Sequence, residues 1–377
     1  MILENGTVFC DDFVFRNMDL ATADDTICAL GDALGQDVLD ASGCYVVPGL
    51  VDIHLHGAMG ADFSDAAPEA IHTIAQFLLQ QGTTSFLGTT MALPEAKLFD
   101  ICNTARPLVD QSIPGQAVLR GINLEGPFFS QEKRGAQNSD YIIPADFALF
   151  SRLYETSGER VRTLAIAPET EGALDFIQEA ASLCALSLAH TAADYDTAMR
   201  AFSLGANHVT HLFNGMTPFS HRDPGVVGAA FDSGAYVELI TDGVHIHPSV
   251  VRATFQLFGD ERICLISDAI CACGMADGQY ELGGQTVIVS GNTSTLPGGG
   301  LAGSVTTLAD CMQTAISFGI PFEQALRAAT LNPAKSVGID DQVGSLTVGK
   351  RADILVLNPD YTLKHVIFGG VLQNKQP

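Results

Sequence analysis

Charged residues are scarce in this sequence, and positively charged ones are the scarcest. They make up 16% of the 377 residues, with 19 lysines and arginines against 43 aspartates and glutamates, which gives a formal charge of −24. Nucleic acids and anionic membranes are bound by clustered lysine and arginine side chains. The composition therefore argues against both as partners, and an anionic substrate would need a few cations held locally in its site.

Long apolar runs are also absent. No run reaches the roughly 20 residues needed to cross a bilayer, and the first ten residues, MILENGTVFC, lack the basic start and apolar stretch of a secretory signal. Among the nine cysteines only Cys271 and Cys273 stand close together, and no second pair completes a thiolate zinc site. We therefore expect a cytoplasmic protein with free thiols.

One pattern repeats between residues 48 and 340: a short apolar run ends in a polar residue, and a helical segment follows. Strands that alternate with helices indicate parallel pairing, and eight such units indicate a closed (β/α)8 barrel of the TIM type. An open sheet would give the same local pattern. The eight runs are residues 49–56, 84–90, 117–125, 161–167, 184–190, 207–211, 236–242 and 262–268.

The two ends of the chain differ from its middle. They contain short alternating runs and turn residues, without helices between them. We predict an α/β protein in which residues 1–47 and 343–377 together form a small β-sandwich domain and residues 48–342 form the catalytic barrel. A glycine-rich stretch at 278–300 is predicted to be a hairpin near the barrel mouth.

The motif VDIHLHG, residues 51–57, places His54 and His56 two positions apart in an apolar run. Residues i and i+2 of a strand point to the same face, so both imidazoles project together with Asp52. Catalytic residues of barrel enzymes lie at the carboxyl ends of the strands, where this pair falls. The pair alone is compatible with a metal site and with two packed histidines.

Other predicted strands end in residues that bind metals or transfer protons. Chance does not easily explain such residues at five equivalent positions, so we predict a centre for one or two metal ions. Imidazole and carboxylate ligands suit zinc, ferrous iron or manganese, whereas calcium and magnesium prefer an oxygen shell. The further strand-end residues are Glu125, His190, His211 and Asp268.

Hydrolysis is the chemistry that such a centre favours. A bound divalent ion lowers the pKa of water towards roughly 7 and can polarise a carbonyl group. A carboxylate must then carry protons, and Asp268 is the candidate, although it could also be a further ligand. Barrel hydrolases of cyclic amides use a carboxylated lysine on strand four, and the fourth run, 161–167, contains no lysine. That argues against a dihydroorotase or a hydantoinase.

Several longer blocks resemble the N-acetylglucosamine-6-phosphate deacetylases of the amidohydrolase superfamily. PGLVDIHLHG (48–57) and GKRADILVL (349–357) are common to the wider superfamily, whereas LEGPFFSQEKRGAQN (124–138) and HLFNGMTPFSHRDPG (211–225) are much more specific. The resemblance covers nearly the whole chain. It implies hydrolysis of the acetamide of N-acetylglucosamine 6-phosphate to glucosamine 6-phosphate and acetate.

The resemblance also implies a role for each matching residue. The main divalent ion, most simply zinc, would be held by Glu125, His190 and His211. A second ion would be held by His54 and His56, and Asp268 would be the general acid and base. Asn214 and Gly215 would lie along the sugar, and Arg222 and His245 would bind its phosphate. Phosphate contacts in this family can cross a dimer interface, so we expect a homodimer.

Two positions depart from the family pattern, and some alternatives stay open. Gln137 stands where the family often has histidine, and it can hydrogen-bond to a substrate without titrating. Gly215 stands where alanine is more usual, and Arg222 could instead form a surface ion pair with Asp223. The alternative functions are deacetylation of the galactosamine epimer, hydrolysis of N-acyl amino acids on the same scaffold, and a barrel without catalytic activity.

Overall fold

The structure, a computed structural model, describes residues 1–31 and 37–373, so the parts 32–36 and 374–377 of the predicted small domain lie outside the described residues. The chain begins with five strands and then enters the barrel through Gly49. A Cβ on Gly49 would lie 2.2 Å from Oγ1 of Thr84, so only glycine lets the backbone pass so close to the next strand. The five strands are β1 (Ile2–Phe9), β2 (Phe15–Ala23), β3 (Thr26–Leu30), β4 (Val38–Asp40) and β5 (Tyr45–Pro48).

Eight parallel strands form the central sheet, and their spatial order follows the chain. They occupy the eight apolar runs of the sequence. Strands β7 and β8, which follow the first barrel strand, form a separate two-stranded sheet, so this part of the chain contains ten strands. The strands are β6 (Leu50–Leu55), β7 (Gly57–Ala58), β8 (Ala61–Asp62), β9 (Thr83–Thr89), β10 (Val118–Glu125), β11 (Val161–Ile166), β12 (Ala185–Leu188), β13 (His208–Val209), β14 (Tyr236–Ile240) and β15 (Ile263–Ile266).

The ring closes between β15 and β6 through hydrogen bonds at the strand ends and not through a regular ladder. Asp268 N donates to the carbonyl of His54 at 3.0 Å, and His56 N donates to the carbonyl of Ala269 at 2.7 Å. Below them, Ser267 Oγ donates to Oδ2 of Asp52 at 2.5 Å. The predicted barrel is confirmed in a near-closed form, and residues of the candidate site make the closing bonds.

Helices cover the outside of the barrel. In α1 the buried residues Ile71, Ile74 and Leu78 recur at helical spacing, which is the apolar stripe of a helix packed on a sheet. This helix starts at Pro68. Proline is tolerated there because the first N–H groups of a helix have no acceptor within the helix. The helices are α1 (Pro68–Gln80), α2 (Glu95–Ala105), α3 (Phe147–Thr156), α4 (Ala173–Ala180), α5 (Tyr195–Ser203), α6 (Gly225–Ser233), α7 (Pro248–Phe258), α8 (Leu308–Ser317), α9 (Phe322–Ala329) and α10 (Leu331–Ser336).

The glycine-rich insertion forms a small antiparallel sheet, β16 (Gly278–Leu282), β17 (Gln285–Ser290) and β18 (Thr293–Thr295). Gln285 Nε2 donates to the carbonyl of Ala136, which joins this sheet to the loop that follows β10. The predicted hairpin is therefore present, and it contacts the loop that carries Gln137.

The two chain ends combine in one mixed sheet with the order β21-β20-β19-β5-β1-β2-β3, where β4 also pairs with β1. Its last strands are β19 (Ile354–Leu357), β20 (Leu363–Phe368) and β21 (Val371–Leu372). A bridge joins Thr26 of β3, at one edge of the sheet, to Arg351, which precedes β19. The predicted sandwich is therefore observed as one mixed sheet built from both chain ends. Its separate core is formed by Leu3, Val8, Leu20, Val46, Ile354, Val356 and Ile367. The exact domain boundaries stay predictions.

All nine cysteines are free thiols, as expected from the sequence. Among the described residues, no helix combines the length and the hydropathy needed to cross a bilayer.

Candidate metal centre

Six predicted side chains come together at the carboxyl ends of the barrel strands. Each is at most 7% exposed, although only His54 and Glu125 lie inside a strand. Alternation along β6 explains the placement, because Val51, Ile53 and Leu55 pack in apolar clusters while the residues between them face the barrel interior. The six side chains are His54, His56, Glu125, His190, His211 and Asp268.

The tightest group consists of Glu125, His190 and His211. Oε1 of Glu125 lies 3.2 Å from Nε2 of His190 and 3.1 Å from Nε2 of His211. The two ring nitrogens are themselves 3.2 Å apart. Lone pairs so close together repel unless a proton or a cation lies between them. These three residues are therefore brought together as predicted for the main ion.

His54 and His56 lie on the other side of Glu125. Nε2 of His54 is 3.5 Å from Oε1 of Glu125, and Nε2 of His56 is 3.4 Å from Oε2. Both ring nitrogens also face Oδ1 of Asp268, at 3.5 and 3.4 Å. One carboxylate, that of Glu125, thus stands between two groups of imidazoles.

The donor set fits a divalent metal ion. Both triads, His54–His56–Glu125 and Glu125–His190–His211, place one ligand atom of each residue within 4.8 Å of the others. Nε2 of His54 is buried and has no hydrogen-bond partner. The other ring nitrogens of His54 and His190 donate to Glu238 Oε2 at 2.9 Å and to the carbonyl of Lys133 at 3.1 Å. Each Nε2 therefore keeps a lone pair directed at the centre.

Three of the side chains sit on sharp turns directly after their strands. His190, His211 and Asp268 have φ values of +45°, +29° and +48°, a region that non-glycine residues rarely occupy. Backbone of this kind costs free energy and persists where the surroundings fix it. At His190 the carboxylate of Glu169 does so, since it accepts hydrogen bonds from Thr191 Oγ1 at 2.5 Å and from Ala192 N at 2.6 Å.

The electrostatics of the cluster favour ionised carboxylates. Burial works against the charged form of Glu125, but the imidazoles around it hold its pKa well below the usual value. The pKa of Asp268 is lowered in the same way, against the effect of burial, chiefly by the hydrogen bond with His56. Burial also opposes protonation of His54, yet Glu238 and Glu125 raise its pKa to about 10. The cluster thus holds buried anionic charge, which a bound divalent ion would neutralise in place of imidazole protons.

Gln137 is buried against Glu125, one of the predicted ligands. Its Nε2 donates to Oε2 of Glu125 at 2.8 Å, and its Oε1 accepts the N–H of Ala92 at 2.7 Å. The amide therefore fixes the Glu125 carboxylate against the loop after β9. In this structure Gln137 contacts a predicted metal ligand directly, in addition to the predicted role towards substrate.

Asn214 and Gly215 form the turn after His211. Asn214 Nδ2 donates to the carbonyls of His211 and Leu212, and Gly215 has a φ of +60°. A Cβ on Gly215 would lie 2.9 Å from Nδ1 of His190. Glycine at this position therefore leaves room for the ligand ring, which an alanine would have to displace.

Arg222 and His245 lie on loops outside the ligand cluster. Arg222 is exposed, its Nη1 lies 2.7 Å from Nε2 of His221, and among the described residues it forms no ion pair with Asp223. Nδ1 of His245 donates to Oδ2 of Asp242 at 2.7 Å, and the His245 side chain is largely buried. That bond leaves the other ring nitrogen of His245 available to a ligand.

Two buried acids behind the centre carry contacts that the sequence reasoning did not assign. Glu238 contacts His54 as described, and Asp52 joins β6 to Ser267 beside Asp268. The signal was present in the sequence: YVELI, residues 236–240, places one charged residue inside an otherwise apolar strand. A charged residue is almost never fully buried without a partner.

The fold and the centre together define a class of protein. A parallel barrel whose mouth gathers histidines and carboxylates from separate strands is the arrangement of metal-assisted hydrolases. A model of the amidohydrolase family matches residues 45–372.

Comparison with known proteins narrows this class. The chain is 37% identical to the N-acetylglucosamine-6-phosphate deacetylase of Bacillus subtilis (strain 168) over 320 residues, which cover 84% of this chain and 81% of the relative. It is 33% identical to the N-acetylgalactosamine-6-phosphate deacetylase of Escherichia coli O157:H7 over 356 residues, 94% of each chain. A solved structure is that of a variant of the N-acetyl-D-glucosamine-6-phosphate deacetylase from Mycobacterium smegmatis in complex with N-acetyl-D-glucosamine-6-phosphate. It matches with a TM-score of 0.93 at 31% identity, over 99% of this chain and 98% of that one. The chain belongs to the amidohydrolase family, in the group of the N-acetylglucosamine-6-phosphate deacetylases.

Proposed function

We propose that the protein hydrolyses the acetamide of N-acetylglucosamine 6-phosphate to glucosamine 6-phosphate and acetate. The observation that supports this most is the approach of His190 and His211 to one buried carboxylate, Glu125, at 3.2 and 3.1 Å. These three residues would hold the main divalent ion, and His54 with His56 would hold a second. When bound, the ion supplies Lewis-acid chemistry, since it lowers the pKa of water and polarises the substrate carbonyl.

Asp268 is the group that moves the proton. Its carboxylate is held in the ionised form and stands at the mouth, with Oδ1 directed at His54 and His56. It accepts a proton from the attacking water as the new C–O bond forms. It then returns that proton to the amide nitrogen as the C–N bond breaks, so that acetate and a free amine leave.

Substrate binding is assigned to the loops around the mouth. Asn214 and Gly215 lie on the turn beside His190 and His211, where a sugar ring would pass the centre. Arg222 and His245 would bind the phosphate, because a dianion in a protein of charge −24 needs fixed donors, and arginine offers a fork of N–H groups. Arg222 is exposed, and within the described part of the chain it forms no ion pair with Asp223, which supports this role.

The direct test is acetate release by the purified protein with divalent metal supplied. N-acetylglucosamine 6-phosphate should be hydrolysed, while the unphosphorylated sugar and an N-acyl amino acid should be far poorer substrates. Metal content is measured on the same preparation. A protein that holds metal but releases no acetate from the sugar phosphate would refute the proposal.

A second candidate is the galactosamine epimer, because a relative named for that activity matches over 94% of this chain. The two sugar phosphates differ only at the C4 hydroxyl, and specificity is the ratio of their kcat/KM values. A competition assay between the two substrates decides which reaction the protein favours. Preference for the galacto sugar would replace the first proposal and leave the chemistry of the centre unchanged.

We also propose a homodimer with the phosphate site near its interface. Phe219, three positions before Arg222, is 53% exposed, and an exposed aromatic close to an exposed arginine suits an interface. If Arg222 acts across that interface, mixing Asp268→Asn with Arg222→Ala protomers should restore part of the activity that each lacks alone. Sedimentation measures the oligomer, and a monomer would refute this arrangement.

A further inference from the structure

Glu238 is a buried carboxylate that the proposed proton transfer and substrate contacts leave unused. It lies in the middle of β14, is 0% exposed, and is flanked by the apolar residues Val237 and Leu239. A buried ionised carboxylate is costly unless each oxygen is partnered. Its partners therefore indicate what it is for.

The two oxygens of Glu238 reach two other barrel strands. Oε2 accepts the Nδ1–H of His54 at 2.9 Å and the backbone N–H of His211 at 3.1 Å. Oε1 lies 3.3 Å from Nε2 of the buried His208, the first residue of β13. The backbone carbonyl of Glu238 accepts the N–H of Leu212 at 2.9 Å, so the turn that carries His211 is held twice.

One carboxylate thus contacts a residue of each proposed ion group. The bond to Nδ1 fixes the His54 tautomer and leaves the Nε2 lone pair directed at Glu125 and Asp268. The bond to the His211 backbone supports a residue whose φ is +29°. A carboxylate behind a ligating histidine commonly sets its orientation and basicity, and losing it costs about 10- to 100-fold in metal affinity.

We propose that Glu238 is a positioning residue that couples the two halves of the metal centre by orienting the His54 ring and the His211 turn. This inference rests on the metal centre of the proposed function. Glu238 acts in this way through the position of its acceptor oxygen, and not through its charge alone. Its contacts to His54 and His211 are directed hydrogen bonds at 2.9 and 3.1 Å, which a shorter side chain could not make.

Three substitutions separate reach from charge. Glu238→Gln keeps an acceptor oxygen at the same reach and loses the charge. Glu238→Asp keeps the charge and withdraws the carboxylate by one methylene. Glu238→Leu keeps the volume and removes the acceptor. Glu179→Gln, on the exposed face of α4, is the matched control for the loss of one carboxylate elsewhere.

The experiment measures Zn²⁺ affinity in a chelator-buffered titration and the absorption spectrum of the Co²⁺-loaded protein, without reference to turnover. We expect Glu238→Gln and Glu179→Gln to bind within about threefold of the wild type with an unchanged spectrum. Glu238→Asp and Glu238→Leu should bind about 10- to 100-fold more weakly with an altered spectrum. A merely structural role would lower the melting temperature and leave the cobalt spectrum unchanged.

Several outcomes would overturn the inference. If Glu238→Asp binds better than Glu238→Gln, charge and not reach is what Glu238 supplies. If Glu238→Asp and Glu238→Gln both bind metal like the wild type, Glu238 does not position the centre. The comparison of these two variants is sufficient even if Glu238→Leu does not fold. A wild-type chain that takes up no divalent ion would also overturn it. Acetate release by the wild type is assayed in parallel, so failure of the deacetylase proposal with normal metal binding is seen separately.

Discussion

At the scale of single residues, the two carboxylates of the proposed centre have different surroundings. Both groups of imidazoles contact Glu125, and one group contacts Asp268. Glu125 faces four imidazoles at 3.1 to 3.5 Å, whereas Asp268, on the turn after β15, has its ion-pair contacts with His54 and His56. Two acids in one site can hold different roles because their surroundings differ. Because the two carboxylates have different surroundings, the role of each can be tested by replacing it with the amide of nearly the same shape.

We predict that Asp268→Asn lowers kcat for acetate release by about 10²- to 10⁴-fold and leaves the metal content unchanged. The amide cannot accept and return the proton, while Glu125, His190 and His211 are untouched. Acetate release and metal analysis are measured on one preparation, with the exposed Asp175→Asn as control. Full activity would move the proton transfer to another residue, and loss of all metal would show that Asp268 is a ligand.

We predict that Arg222→Ala lowers kcat/KM for the sugar phosphate by about 10- to 100-fold, mainly through KM, because a charge-assisted contact to the phosphate is lost. Hydrolysis of the unphosphorylated sugar should change little. The exposed Arg200→Ala in α5 removes the same charge elsewhere and should have no effect. Equal losses for both substrates would argue against a phosphate contact.

The sequence identifies the candidate site residues at strand ends far better than the buried residues, such as Glu238, that hydrogen-bond to them. His190, His211 and Asp268 each end an apolar run, so the repeat alone marks them. Glu238 and His208 lie inside short strands, and nothing in a linear pattern states which distant ring each will meet, since His54 and Glu238 are 184 positions apart. The buried contact of Gln137 with Glu125 was likewise beyond the pattern, because loop geometry decides it.

At the scale of elements, strand order and helix placement followed from periodicity. All eight barrel strands occupy the expected runs, and helices lie between them as the repeat predicts. The lengths were less predictable: β13 has only two residues because the chain turns at His211 directly after it. The position of the His211 turn therefore sets the length of β13, and the hydrophobic periodicity of the sequence does not predict where that turn lies.

Helix starts around the barrel are fixed by local caps, and α5 gives a clear case. Asp194 Oδ1 accepts the N–H of Thr197 at 2.8 Å, and this bond lowers the pKa of Asp194. We predict that Asp194→Ala lowers the free energy of unfolding by about 1 kcal/mol at neutral pH. Since the pKa is lowered in the folded state, the difference from wild type should vanish as the pH falls through the range of aspartate.

The measurement is denaturant unfolding at neutral and acid pH, followed by circular dichroism. Asp196→Ala, in the first turn of the same helix, is the matched control and should cost only a few tenths of a kcal/mol. A cost for Asp194→Ala that does not depend on pH would show that the carboxylate charge is not what caps α5.

At the scale of the whole molecule, the ion is expected to act as a stabilising ligand. The buried ligands meet only in the folded chain, so the ion binds the native state and not the unfolded one. We predict that Zn²⁺ at about 1,000 times its dissociation constant stabilises the protein by about 4 kcal/mol and raises the melting temperature. Calorimetry with metal or with chelator measures this.

The control is a chain with both His190→Gln and His211→Gln, whose melting temperature should respond less to the ion, because only the proposed second site remains. An equal response in that chain would place the stabilising ion elsewhere. The chelated wild type should recover its original melting temperature when metal is returned, because the ligands themselves are unchanged.

The proposed centre would draw its ligands from the ends of the first, third, fifth and sixth barrel strands, with Asp268 following the last. Contacts such as that between His211 and Glu125 join positions 86 residues apart, and that between His54 and Glu238 spans 184. Contacts so distant along the chain are slow to form, because the entropy of closing a long loop must be lost before the contact is made. Metal uptake would therefore mark the moment when the ring is complete, and in a chain without tryptophan it offers a natural signal of that last step.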